Sequence, residues 1–157
     1  MMRWVMLVAG ACMGCAGGSN MCPLPPPGSE TGSLTIEHVH EFGRNYEIFD
    51  VSYKIDDCVL LRATDTSELR KDRVELGTYP VLAGFHQIQL TTQFRSDFIG
   101  QGTGYVWAGR IGSEIEVPAN GHLKLIARYY EEPAADPRYR MHTAISVENQ
   151  APEAAQN

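Results

Sequence analysis

Four cysteines and five histidines are the side chains of this 157-residue chain best suited to bind metal, exchange electrons or form cross-links. Cys12 and Cys15 make a C-x-x-C, Cys22 follows shortly after, and Cys58 stands apart. A structural zinc site needs two ligand pairs at defined spacing, and neither a second C-x-x-C nor an H-x3-5-H accompanies the first. A thioredoxin-like pair would open a helix within a βαβ unit. Here the pair lies instead in VMLVAGACMGCAGG, directly behind an apolar run. Metal and redox chemistry are therefore poor readings of these thiols.

Met1-Met2-Arg3 supplies one positive charge, and Trp4 to Ala11 form a short apolar run. A bilayer crossing takes about 20 apolar residues, so this run has the length of the hydrophobic region of an export signal. The small residues and cysteine that follow resemble the signals of bacterial lipoproteins. That resemblance implies a diacylglycerol thioether on a cysteine preceded by Gly, Ala or Ser, with everything before it removed. Cys15, preceded by Gly14, is the favoured site and leaves residues 1–14 as the signal; Cys12, preceded by Ala9-Gly10-Ala11, is the alternative. An ordinary cleaved signal without lipid is the alternative to lipidation. With Cys15 modified, Cys22 and Cys58 remain as an even pair that can form a disulfide in an oxidising compartment. Ala16 rather than an acidic residue follows Cys15. In bacteria that use an acidic residue there to retain lipoproteins at the inner membrane, this implies the outer membrane, facing the periplasm.

His38-x-His40 is the best metal candidate, because residues i and i+2 of a strand point the same way. Cupins and copper proteins supply two ligands in this manner, and Gly32 stands where a cupin motif asks for glycine. The glutamate that should follow at a short interval is misplaced: Glu41 comes at once and Glu47 too late. On strict alternation both histidines share a face with Leu34, Ile36 and Phe42, which makes packing the plainer expectation. His86 and His122 open strands beside turns, where an imidazole can bond a turn carbonyl. GQGTG at 100–104 lacks the third glycine of a dinucleotide fingerprint and the lysine of a P-loop. Glu131 and Glu132 are adjacent rather than opposed across a cleft. No G-x-S-x-G is present, although a triad assembled from distant strands carries no sequence order.

These residues must be positioned by strands. Between Ser33 and Glu148 the apolar pattern has period two. HQIQLTTQF sets His86, Ile88, Leu90, Thr92 and Phe94 on one face. HLKLIARYY does the same with Leu123, Leu125, Ala127 and Tyr129, and YEIFDVSYKI with Phe49, Val51, Tyr53 and Ile55. Further strands are expected at SLTIEHVHEF, DCVLLRA, RVELGTY, GYVWAGR, SEIEV and YRMHTAISV, with a single helical turn in TSELRKDR. About seven to nine short strands predict an all-β fold, one antiparallel immunoglobulin-like β-sandwich, with a small β-barrel as the alternative. Val81 to His86 and Val117 to His122 both read as hairpins that end on a histidine. The first, LAGFHQIQL, resembles the hairpin of PEGA-like β-domains of envelope lipoproteins, and the course through VPANGHLKLIARYYE resembles uncharacterised immunoglobulin-like lipoproteins. Those resemblances imply a fold and a location and carry no catalytic residues. The expected organisation is a signal at 1–14, a lipidated cysteine and Gly/Pro linker at 15–32, the sandwich at 33–148, and a tail at 149–157. PLPPPG in the linker predicts extended polyproline II, a spacer rather than part of the core.

The formal charge of −6 opposes sequence-independent binding of nucleic acid, which needs a basic face. The expected function is a non-enzymatic, lipid-anchored binding or assembly module of the cell envelope, without cofactor. Its partners would be the membrane, through the lipid, and an envelope protein or glycan, through Phe98 and Tyr130. A periplasmic metal-binding protein using His38 and His40 is the alternative, followed by an unrecognised hydrolase.

Overall fold

The structure, a computed structural model, describes residues 20–42, 46–64, 66–96, 105–132 and 141–150. Cys12, Cys15, Phe98, the 100–104 glycines, Tyr139 and the end of the chain from 151 lie outside the described residues, as do the side chains of Tyr105 and Trp107.

Eight strands form among the described residues. They are β1 (Thr31–Glu41), β2 (Tyr46–Ile55), β3 (Cys58–Ala63), β4 (Arg73–Leu82), β5 (Gly84–Ser96), β6 (Tyr105–Val117), β7 (His122–Glu131) and β8 (Met141–Gln150). One helical turn, α1 (Thr66–Leu69), buries Leu69 between β3 and β4 in the sequence. The strands make two four-stranded sheets ordered β4-β1-β7-β8 and β3-β2-β5-β6. All named pairs are antiparallel except β1 with β7. Among the described residues neither sheet closes on itself, so the architecture is a β-sandwich and not a barrel. Immunoglobulin domains order their sheets ABED and CFG; the likeness to them is one of layers rather than connectivity.

The period-two pattern sets the core. Ile88, Leu90, Thr92 and Phe94 of β5 and Leu123, Leu125, Ala127 and Tyr129 of β7 are buried between the sheets. On β2 the phase changes partway. A bulge between Ile48 and Asp50 inserts one residue against β5, so Tyr46 and Ile48 turn inward and Phe49 loses the core position that alternation predicts. GYVWAGR and SEIEV are one strand, β6, because thirteen consecutive pairs with β5 carry it through Gly109 and Gly112.

The two stretches expected to be hairpins are corners between sheets. Leu82 ends a strand of one sheet and Gly84 begins a strand of the other, and the 118–121 stretch likewise passes from β6 to β7. Gly84 takes φ +126°, which a side chain resists. Gly32, the glycine of the imagined cupin motif, is explained by packing: a Cβ there would lie 2.5 Å from the Pro118 carbonyl oxygen.

The linker is also partly structural. Asn20 to Cys22 runs parallel to the edge of β3, with the Val59 N–H donating to Asn20 O and the Cys22 N–H to Val59 O. Cys22 and Cys58 are joined by a disulfide with Cα atoms 4.9 Å apart, within the range such bonds require. The Ala83 N–H donates to Glu30 O, and β1 begins at Thr31 rather than Ser33.

Candidate functional site

Three places hold the side chains singled out in the sequence. The first lies between the sheets. His38 and His40 project inward from β1, as alternation predicts, but His38 is completely buried rather than marginal because β1 is a central strand. His38 Nε2 lies 2.6 Å from the Tyr53 hydroxyl and 3.4 Å from that of Tyr129, which is 3.2 Å from Thr92 Oγ1. The arrangement that leaves no buried hydrogen unpaired has the His38 Nε2–H donating to Tyr53 and the Tyr53 O–H to Tyr129. It leaves Nδ1, which has no partner, as an acceptor lone pair, cheaper to bury than an unpaired N–H. Burial drives the His38 pKa down to about 3, with the neighbouring His40 adding to the effect. His40 is partly buried beside Phe42 and Tyr129. Burial lowers its pKa to about 4 against an opposing pull from Asp72. The two imidazoles are 6.1 Å apart, and among the described residues no third donor joins them in a metal-binding group. What this network does chemically is hold two sheets in one register through neutral, hydrogen-bonded groups.

The second place is the outer face of the β3-β2-β5-β6 sheet. Gln87, Gln89, Thr91 and Gln93 line β5 there, flanked by Asp50, Ser52 and Lys54 on β2. Two shallow depressions of about 320 and 300 Å³ meet at Lys54. Arg62 clasps Asp50 through two hydrogen bonds. No aromatic side chain lines either depression, and neither contains the histidine and hydroxyl pair that acyl transfer needs.

The third is the end of the sandwich where the disulfide sits. A cleft of about 160 Å³ runs between Pro23–Pro26 and Ile55, Leu60, Val81 and Leu82. His86 closes its rim, bridging the Asp56 carboxylate and the Leu82 carbonyl, each at 2.8 Å. The bond to Leu82 is the turn-carbonyl contact expected of a histidine that opens a strand. His122 instead bonds the hydroxyls of Ser33 (2.6 Å) and Thr35 (3.1 Å) across the parallel β1–β7 pair. Leu24, which lines the cleft, is 80% exposed, and Phe85, just past the Ala83 corner, is 69% exposed.

Tyr130 is on the outer face of β7, partly exposed and stacked on His142 at 5.5 Å; its expected companion Phe98 lies outside the described residues. Glu132 faces His142 at 3.1 Å, and Glu131 accepts from the Tyr46 hydroxyl at 3.4 Å, so the acidic pair is engaged separately. Sequence reasoning missed two charged clusters. Glu37 is buried on the outer face of β1 against Arg73 and Lys124. Burial pushes its pKa up, but the two cations outweigh that and hold the carboxyl below its usual range. The hydrogen bond from Arg70 does most to lower the Glu47 pKa; Arg95 assists, and burial opposes both. Both carboxylates lie in strand segments, but their cationic partners come from distant parts of the chain, which alternation does not report.

Fold and site together define a two-sheet β-sandwich closed at one end by a disulfide and a docked proline segment. Comparison with family models, curated proteins and solved structures found no match to this chain. Among the described residues no helix is long and apolar enough to cross a membrane.

Proposed function

We propose that this protein is an exported, lipid-anchored module of the cell envelope, held through a thioether at Cys15 and working by binding rather than catalysis. The observation that carries this reading is the Cys22–Cys58 disulfide. Disulfides persist in oxidising compartments and are rare in the cytosol, so the pair agrees with the export signal read at residues 1–14. The lipoprotein-like signal and Ala16 after Cys15 favour the outer membrane, on its periplasmic side. The polar outer face of the β3-β2-β5-β6 sheet, with its two shallow depressions, offers hydrogen-bonding groups suited to an envelope protein or glycan.

The test is metabolic labelling with palmitate in cells producing the chain and its Cys15→Ser and Cys12→Ser variants. Label that is retained in Cys12→Ser and lost in Cys15→Ser supports the anchor. Label that depends on Cys12 moves the anchor to that residue, and its absence from all three chains overturns the lipid.

A further inference from the structure

Beyond the lipid itself, the geometry points to a second membrane contact: the apolar tip formed by Leu24, Leu82 and Phe85 seats in the interfacial layer of the bilayer that holds the anchor. This inference rests on the lipid at Cys15 proposed above.

Three observations converge on the tip. First, it exposes two large apolar side chains on one cleft and a third just past the corner that follows. Leu24 and Leu82 line the same cleft, Phe85 is two residues beyond the corner at Ala83, and the three are 80%, 42% and 69% exposed. Single exposed apolar residues need no explanation, but a cluster of them does. Second, the tip is stiff. Leu82 and Phe85 flank a tight corner between two strands, while Leu24 follows a disulfide-bonded residue within a proline run. Little ordering entropy is lost when such groups leave water.

Third, the tether is short and enters at the same end. Asn20 pairs in parallel beside the start of β3, next to the Asp56-Asp57 turn. Docking of Asn20 to Cys22 on β3 therefore puts Cys15 only five positions from a docked residue, a reach of at most about 18 Å. A lipid on Cys15 keeps this end of the domain against the headgroups at all times, where a bilayer surface is the partner at highest local concentration. The neighbouring charges are acidic, Glu30, Asp56 and Asp57, so the contact is apolar rather than an attraction to anionic lipid. It would accordingly be insensitive to salt.

The experiment uses the processed protein purified from envelopes, in wild-type and Phe85→Trp forms, reconstituted into phosphatidylcholine vesicles with or without lipids brominated on the acyl chains. Wild-type emission supplies the background from Trp107. A seated tip predicts that the added tryptophan emits to the blue of an exposed indole, is quenched by brominated lipid, and loses that quenching when Leu82→Glu is added. High salt should change none of this. Intact mass of the same samples reports the lipid. A lipidated Phe85→Trp chain whose added indole is unquenched overturns the contact and leaves the anchor standing. Unquenched emission with cross-linked pairs assigns the tip to a second copy and overturns it equally. A chain without lipid on Cys15 overturns both readings.

Discussion

The two halves of this sandwich bury different chemistry between the same two sheets. Toward the disulfide end the interior is aliphatic, with Leu34, Ile36, Ile55, Val81, Ile88, Ile115, Val117, Leu123 and Leu125. Toward the other end it turns aromatic and polar: His38, Tyr46, Phe94 and Tyr129 are buried, with His40 and Phe42 beside them. The aliphatic half coincides with short connections, namely the Asp56-Asp57 turn, the corner at Ala83 and the 118–121 corner, and it is tied to the linker by a covalent bond. The polar half lies toward the opposite ends of the same strands. Hydrophobic burial is non-directional, whereas hydrogen bonds in a dry interior require one geometry. The aliphatic interior thus contributes stability through groups that do not titrate, and the buried histidines supply register at the cost of acid sensitivity.

Breaking the aliphatic half should have the largest effects. Cys58→Ser removes a cross-link between residues 36 apart in sequence. The loop-entropy relation gives a loss of about 4 kcal/mol, readable as a lower urea midpoint that is absent when wild type is compared under reducing conditions. Leu125→Ala, at a fully buried position, should cost about 3 kcal/mol through lost transfer energy and a residual cavity, with the same penalty at pH 5 and pH 7.

The polar half should instead respond to pH. The folded pKa values of His38 and His40, about 3 and about 4, lie below the ordinary 6.5. Below pH 6.5 the unfolded chain therefore binds protons that the folded chain refuses, and stability falls as pH drops from 6.5 toward 4. For His38 alone the loss is on the order of 3 kcal/mol at pH 4. Glu37 and Glu47, whose pKa values are lowered, lose their own contribution as pH falls, so the histidine share must be isolated by difference. Urea titrations of His38→Gln across pH 4 to 7 should show a flatter dependence than wild type; parallel curves would remove His38 from the explanation. Tyr53→Phe is the mildest test. It should cost about 1–2 kcal/mol by removing the 2.6 Å partner of His38 Nε2 and leaving only the Tyr129 hydroxyl at 3.4 Å.

Faces were legible in the sequence and partners were not. Strict alternation placed the inward residues of β5 and β7 and put His38 and His40 on the side of Leu34 and Ile36. It failed at Phe49, because a bulge inserts a residue without any local compositional signal. It also split β6 at Gly109 and Gly112, which the ladder with β5 runs straight through. The apparent hairpins at Val81–His86 and Val117–His122 hid corners, since a turn sequence does not state which sheet the next strand joins. The proline run read as a spacer, although the even pair of Cys22 and Cys58 pointed to a tie between linker and domain. The parallel pairing of Asn20 and Cys22 with Val59 was not legible, because backbone pairing with a distant edge leaves no local pattern.

The most direct test of an exported, anchored and cross-linked domain is the intact mass of the chain from envelopes, alkylated without prior reduction. The expected chain begins at Cys15 with a diacylglycerol thioether, and Cys22 and Cys58 take up alkylating agent only after reduction. A chain that retains Met1 or begins elsewhere without lipid, or one whose Cys22 and Cys58 are alkylated before reduction, would contradict it.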